Sequence, residues 1–168
     1  MKIEVTVGDI FEQKVDAIVN PAHPSLLAGS GLCGKIFKQA GKSELENFCR
    51  SKLQRMKLNA LAVGQTIITP AFNLPFQSII HTAVPKFYQH GVEALTDCYL
   101  NSIKLAIDNK LMSLAFPALG IGINQIPIEA SAQKMREAID KINTDLGMEI
   151  IVVTRDEFTQ QIFSEALA

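Results

Sequence analysis

The sequence is short of cysteine, of long apolar runs and of surplus positive charge, and each shortage removes a class of function. Its three cysteines, Cys33, Cys49 and Cys98, are odd in number and show no C-x-x-C spacing. That argues against a disulfide framework and a structural zinc site, and suits a reducing, cytoplasmic setting. Lys and Arg total 16 against 17 Asp and Glu, so no general basic field draws nucleic acid to the chain. No stretch approaches the roughly 20 apolar residues of a membrane span, and the opening Met1 to Asp9 alternates instead of running apolar like a signal peptide. His, Cys, Asp and Glu form no group with metal-ligand spacing, so no metal is expected. Repeats, low-complexity tracts and linkers are also missing. Residues 1–168 therefore read as one domain, expected as a cytoplasmic monomer and long enough to bury a single core.

What is present alternates between two periods. Ile3, Val5 and Val7 give a strand with one wet face, and Val15–Val19 an apolar strand covered on both faces, closed by Asn20 and Pro21. A short helix runs to Ala40 and stops at Gly41. Ser43 with Glu46 spells a capping box ahead of Leu45, Cys49 and Leu53 at helical spacing. Gln65–Pro70, Gln77–Ala83, Met112–Phe116 and Met148–Val153 read as further strands. Amphipathic helices fall at 92–110 and from Pro127 onward, and a last helix is capped by Thr154 or Asp156. Such alternation predicts an α/β fold with a largely parallel sheet covered by helices on both faces.

Two glycine loops each follow a predicted strand and precede a helix, which puts them at the carboxyl edge where such sheets bind ligands. The first, Gly29-Ser30-Gly31-Leu32-Cys33-Gly34, matches G-x-G-x-x-G. Nine residues, Asn20 to Ala28, separate it from its strand, and no acidic residue ends a strand about 20 positions later. Nicotinamide chemistry loses its support, while backbone N–H groups arranged for a diphosphate remain. The second loop is Pro117 to Gln125. Asp9 either caps its own turn or accepts from an exocyclic amine; Asn20 either closes its turn or meets a ribose hydroxyl. Lys35, Lys38 and Lys42 read as a solvated helix face, His81 as a structural histidine within an apolar strand, and His90 as a surface residue.

In order and spacing, Gly8-Asp9-Ile10, Asp16 to Ala22, Leu26 to Gly34, Ala40-Gly41, Ile80-His81-Thr82, Phe116-Pro117-Ala118 and Pro127 to Ala130 resemble a macrodomain, the ADP-ribose-binding module. The likeness covers essentially the whole chain. Gly31 to Gly34, His81 to Pro85 and Val153 to Phe158 look most like bacterial and alphavirus-type members. The resemblance implies a three-layer α/β/α sandwich around a six-stranded mixed, mostly parallel sheet. It implies ADP-ribose or a mono-ADP-ribosylated protein as partner, with no further cofactor. Asp9 and Ile10 would hold adenine, with Arg155, Asp156 and Phe158 flanking it. Asn20 would support the distal ribose. Gly29, Ser30, Gly31, Leu32, Cys33 and Gly34 would offer N–H groups, with Ala118, Leu119, Gly120, Ile121, Gly122, Ile123 and Asn124 as the opposing jaw.

Hydrolytic members usually carry asparagine at the position of His23, and many carry aspartate at that of Cys33. Asn124 replaces an aromatic residue, and Gly120-Ile121 a Ser-Thr pair. The resemblance thus implies either removal of mono-ADP-ribose or a related ADP-ribose ester, with Asn20 and His23 as catalytic candidates, or a non-catalytic reader module. His23 is either a proton acceptor or a loop-packing residue.

Overall fold

The computed structural model describes residues 1–144 and 147–168. Its strands are β1 (Lys2–Val7), β2 (Ala17–Ala22), β3 (Thr66–Pro70), β4 (Ser78–Ala83), β5 (Ser113–Pro117) and β6 (Glu149–Thr154). The helices are α1 (Gly31–Ala40), α2 (Lys42–Arg55), a single turn α3 (Phe87–His90), α4 (Ala94–Asp108), α5 (Ile128–Asp140) and α6 (Glu157–Leu167). Sheet order is β1-β6-β5-β2-β4-β3, parallel throughout except for the β3–β4 pair. This is the expected six-stranded, mostly parallel α/β/α sandwich.

Strand alternation divides the core between the two faces. From β2, Ala17 and Val19 pack with α4, α5 and α6, whereas Ile18 and Ala22 pack with α1 and α2. Tyr99 and Phe116 anchor the first layer and Phe37 the second, each fully buried. Cys49 and Cys98 are buried core residues, as their helical spacing predicts. No helix among the described residues is long and apolar enough to cross a membrane.

Two local expectations change and one open alternative is decided. β2 does not close at Asn20; it continues through Asn20 and Pro21 to Ala22, because β4 pairs with it along that whole length. The Ser43–Glu46 capping box is not made. Gly41, at φ 115, ends α1 and opens α2 at once, leaving Ser43 inside the first turn. An L side chain seldom adopts that φ, so glycine lets the two helices meet without a linker. Glu46 instead accepts from the Ala28 N–H at 3.1 Å, tying α2 to the first glycine loop. At the last helix the cap is Asp156, whose Oδ1 accepts from the Thr159 N–H at 2.7 Å.

Candidate functional site

The register of the sheet opens the site. β5 pairs with β6 as far as Pro117, but with β2 only at Ala17 and Ile18. Beyond Ile18 the two strands part at their carboxyl ends. Pro21 and Pro117, which have no N–H to offer a ladder, both line the gap. A cleft of about 720 Å³ fills that opening, walled by the two glycine loops.

On one side, α1 starts at Gly31 with no side-chain cap from Ser30. The first-turn N–H groups of Gly31, Leu32 and Cys33 have no intrahelical carbonyl within reach, so they and the helix dipole favour an anion. Gly34 holds this start against the loop: a Cβ there would lie 2.3 Å from the Gly29 carbonyl oxygen. On the other side, Ala118, Gly120, Ile121, Gly122, Ile123 and Asn124 line the cleft. Asn124 Nδ2 donates to the carbonyls of Val84 and Pro85 at 3.4 and 3.2 Å, binding this loop to the one after β4.

Leu119 points away from the cleft and is fully buried. It closes a ring of hydrogen bonds: Leu119 N–H donates to Tyr99 Oη at 2.9 Å, Tyr99 lies 2.7 Å from Ser131 Oγ, and Ser131 donates to the Leu119 carbonyl at 2.6 Å. Burial pushes the Tyr99 phenol above its ordinary pKa, so it stays protonated and can donate onward to Ser131. Tyr99→Phe orphans a buried N–H, and we expect unfolding free energy to fall by about 1–2 kcal/mol in urea titrations.

At the far end, Asp9 and Ile10 line the cleft with Phe11 and Arg155. Asp9 caps its own turn, Oδ1 accepting from the Phe11 N–H at 2.9 Å, and still faces the cleft. Asp156 is spent on its cap and Phe158 is exposed; neither is among the lining residues, nor are Gly29 and Gly34.

The two catalytic candidates also stand outside the lining. Asn20 is fully buried beneath it, its Nδ2 donating to His81 Nδ1 at 2.9 Å, while Oδ1 has no partner. The partner His81 is thus the structural residue expected, and its Nε2 lies 2.9 Å from Thr69 Oγ1. His23 is turned into its own loop: Nδ1 accepts from Ser25 N–H at 3.1 Å and lies 2.8 Å from Ser25 Oγ. That is the loop-packing alternative. Cys33 does line the cleft, next to the Asn20 side chain and the backbone of Gly29 and His23, and burial raises its thiol pKa. It is therefore a neutral wall group and not a thiolate.

Sequence reasoning missed Gly8, Phe11, Pro21, Lys35, Lys38 and Gln39 as cleft residues. The two lysines are exposed, as read, yet they belong to the wall. Gly31, Lys35, Lys38 and Gln39 follow i, i+4, i+7, i+8, one stripe of α1, which the helical period contains once Gly31 is known to face the ligand edge.

A family model described as "Macro domain" matches residues 19–135. A macro domain-containing protein of Lactiplantibacillus plantarum is 37% identical, the match covering 100% of this chain and 97% of that protein. An Enterobacter protein named O-acetyl-ADP-ribose deacetylase is 36% identical, covering 99% of this chain and 93% of its own length. Among solved structures, a substituted Oceanobacillus iheyensis macrodomain with ADP-ribose superposes at TM-score 0.90 with 33% identity, over 98% of this chain and 91% of that one. Matched over this length in both sequence and fold, the chain belongs to the macrodomain family.

Proposed function

We propose that the chain binds ADP-ribose in the cleft between its glycine loops and hydrolyses mono-ADP-ribose, or a related ADP-ribose ester, from modified proteins. One observation carries this: the uncapped start of α1, with its free N–H groups, faces the Gly120–Asn124 jaw across the parted ends of β2 and β5. Adenine would lie toward Asp9 and Ile10, the diphosphate over Gly31 to Cys33, and the distal ribose near Pro21 and Asn124. The Enterobacter relative named for deacetylation of O-acetyl-ADP-ribose, and the separate Oceanobacillus iheyensis macrodomain crystallised with ADP-ribose, support that assignment.

Cleavage of a carboxylate-linked ADP-ribose needs water to bond to the anomeric carbon while the bond to the carboxylate oxygen breaks. The carboxylate departs as an anion and needs no proton. One proton must leave the water. The Cys33 thiol, raised by burial, is a poor acceptor, and His23 is engaged with Ser25. The ligand's own phosphate, held beside the distal ribose, is the acceptor that remains. In this reading the protein contributes orientation and N–H stabilisation.

The test is release of free ADP-ribose from a mono-ADP-ribosylated protein. We expect release, with His23→Ala retaining most of the rate; a loss on the order of 10²-fold or more would make the imidazole the base. His23, outside the cleft lining and bonded to Ser25, and the neutral Cys33 thiol favour one second reading, a reader module. Tight calorimetric binding of ADP-ribose with no release at high protein concentration would select it.

A further inference from the structure

Three buried polar side chains form a line across the sheet: Thr69 from β3, His81 from β4 and Asn20 from β2. Two residues before each, Ile67, Ile79 and Ile18 pack with α1 and α2, and strand alternation puts the three polar residues on that same face. The polarity of the line is set at its β3 end. Thr69 Oγ1 donates its one proton to the Pro70 carbonyl at 3.1 Å, so toward His81 Nε2, 2.9 Å away, it can only accept. A neutral ring protonated on Nε2 leaves Nδ1 as acceptor. Nδ1 therefore takes the Asn20 amide N–H at 2.9 Å. With Nδ2 held toward β4, Asn20 Oδ1 is turned from it, and Oδ1 has no hydrogen-bond partner among the described residues. On that flank β5 pairs with β2 only as far as Ile18, so no strand covers Asn20 there. Its neighbours on this side, Pro21 in the chain and Cys33 beside the amide, both line the cleft. A buried acceptor without a donor is costly to a fold. This one lies under the cleft floor, ready for a donor brought by a ligand.

We propose that Thr69 and His81 are positioning residues that hold the Asn20 amide with its carbonyl oxygen toward the cleft, and so make this end of the cleft select a ligand hydroxyl over an anionic group. This rests on the distal ribose lying near Pro21, as in the function proposed above. Only a group that carries a proton satisfies Oδ1: a hydroxyl does, an ionised phosphate or carboxylate oxygen does not. With the opposite polarity along the line, the amide would turn over and present its NH2, which suits the anion instead. Thr69 thus acts from the edge strand, two side chains away from the ligand.

Thr69→Val in the full chain, read by histidine nitrogen NMR and by calorimetric titration with ADP-ribose and with ADP, tests this. In the wild type the His81 proton is expected on Nε2. Valine keeps the shape of threonine but offers that proton no acceptor, so in the variant it should move to Nδ1, where the overturned Asn20 carbonyl accepts it. ADP-ribose affinity should then fall by about tenfold, the scale of one hydrogen bond lost and an amide left mispaired, while ADP, which lacks the distal ribose, stays within about twofold. Thr69→Ser, which keeps the hydroxyl, should restore both the Nε2 proton and the affinity. Thr69→Ala carries the same expectation as valine, should the latter fold poorly. A proton that stays on Nε2, an ADP-ribose affinity unmoved once the proton has shifted, or an equal loss for ADP-ribose and ADP overturns the proposal; the last is what a purely structural role would give. Wild-type protein that binds no ADP-ribose removes the underlying reading and the selection together, whereas wild-type binding followed by any of those three outcomes removes the selection alone.

Discussion

Gly34→Ala is expected to weaken ADP-ribose binding by at least about thirtyfold, equivalent to about 2 kcal/mol, in a protein that still folds. Gly34 sits in the first turn of α1, and the Cβ of alanine would fall 2.3 Å from the Gly29 carbonyl oxygen and 3.3 Å from its carbon. Both obstacles are backbone, so no side chain can swing aside. To reach ordinary van der Waals distance the Ala28–Ser30 segment must retreat by about 1 Å, and misplacement on that scale at a binding constellation can cost on the order of 10²-fold.

Retreat also pulls on what the segment carries. Ala28 N–H is held by Glu46 of α2, and Gly34 N–H by the Ser30 carbonyl at 3.3 Å. The N–H groups of Gly31 to Cys33 then no longer face the Gly120–Asn124 jaw at one spacing. Overpacking of this kind costs about 1–3 kcal/mol of stability, so titration should be made well below the midpoint of thermal unfolding. Binding within threefold of wild type would mean the loop adapts, and that its position does not set affinity.

The sheet and its helices were legible because burial imposes a period. Val15–Val19 and Met148–Val153 are apolar on both faces, and each became an interior strand of the sheet. Elements that depend on a single backbone angle or a distant partner were not legible. Pro21 reads as the end of a strand, yet β2 runs through it, since the side of β2 that lacks an N–H faces a gap where β5 has already turned away. The Ser43–Glu46 pair has the right spacing for a cap, but Gly41 takes the cap position and the helix begins at Lys42, one residue before Ser43. The ring of Leu119, Tyr99 and Ser131 joins residues 12 to 32 apart in sequence and has no local signature. Asn20 illustrates the division: its place toward the end of β2 was visible, its partner His81 was not. The cleft wall formed by Lys35 and Lys38 was hidden because lysine on an amphipathic helix has the same pattern whether it faces solvent or a ligand.

His81 should make the fold acid-sensitive well above the range of carboxylate titration. It is directly opposite Asn20 in the β2–β4 register, and its ring stacks edge-on with Phe37 at 6.0 Å between centroids. Asn20 Nδ2 only donates, so His81 Nδ1 accepts and the ring proton lies on Nε2, donated to Thr69 Oγ1; Thr69 in turn donates to the Pro70 carbonyl. This chain is complete for the neutral ring and has no acceptor for a second proton on Nδ1. Full burial adds the cost of an unsolvated charge and pushes the His81 pKa from 6.5 down to about 3. An unfolded chain binds that proton below pH 6.5 and the folded one does not until about pH 3. The stabilisation is therefore complete above pH 6.5 and is lost as pH falls through this window. For one proton the slope is about 1.4 kcal/mol per pH unit, so about 2 kcal/mol should be gone by pH 5. Glu137 and Asp156, whose pKa values are lowered by hydrogen bonds in the fold, lose their contributions at lower pH still. Urea unfolding between pH 7.5 and pH 5 isolates the histidine, and His81→Gln should remove about one proton's worth of slope. His81→Ala should cost about 3 kcal/mol or more even at neutral pH, because it opens a cavity and leaves Asn20 and Thr69 without their partner. An unchanged slope in His81→Gln would mean that another group takes up the proton, and that the Asn20–His81–Thr69 chain tolerates charge.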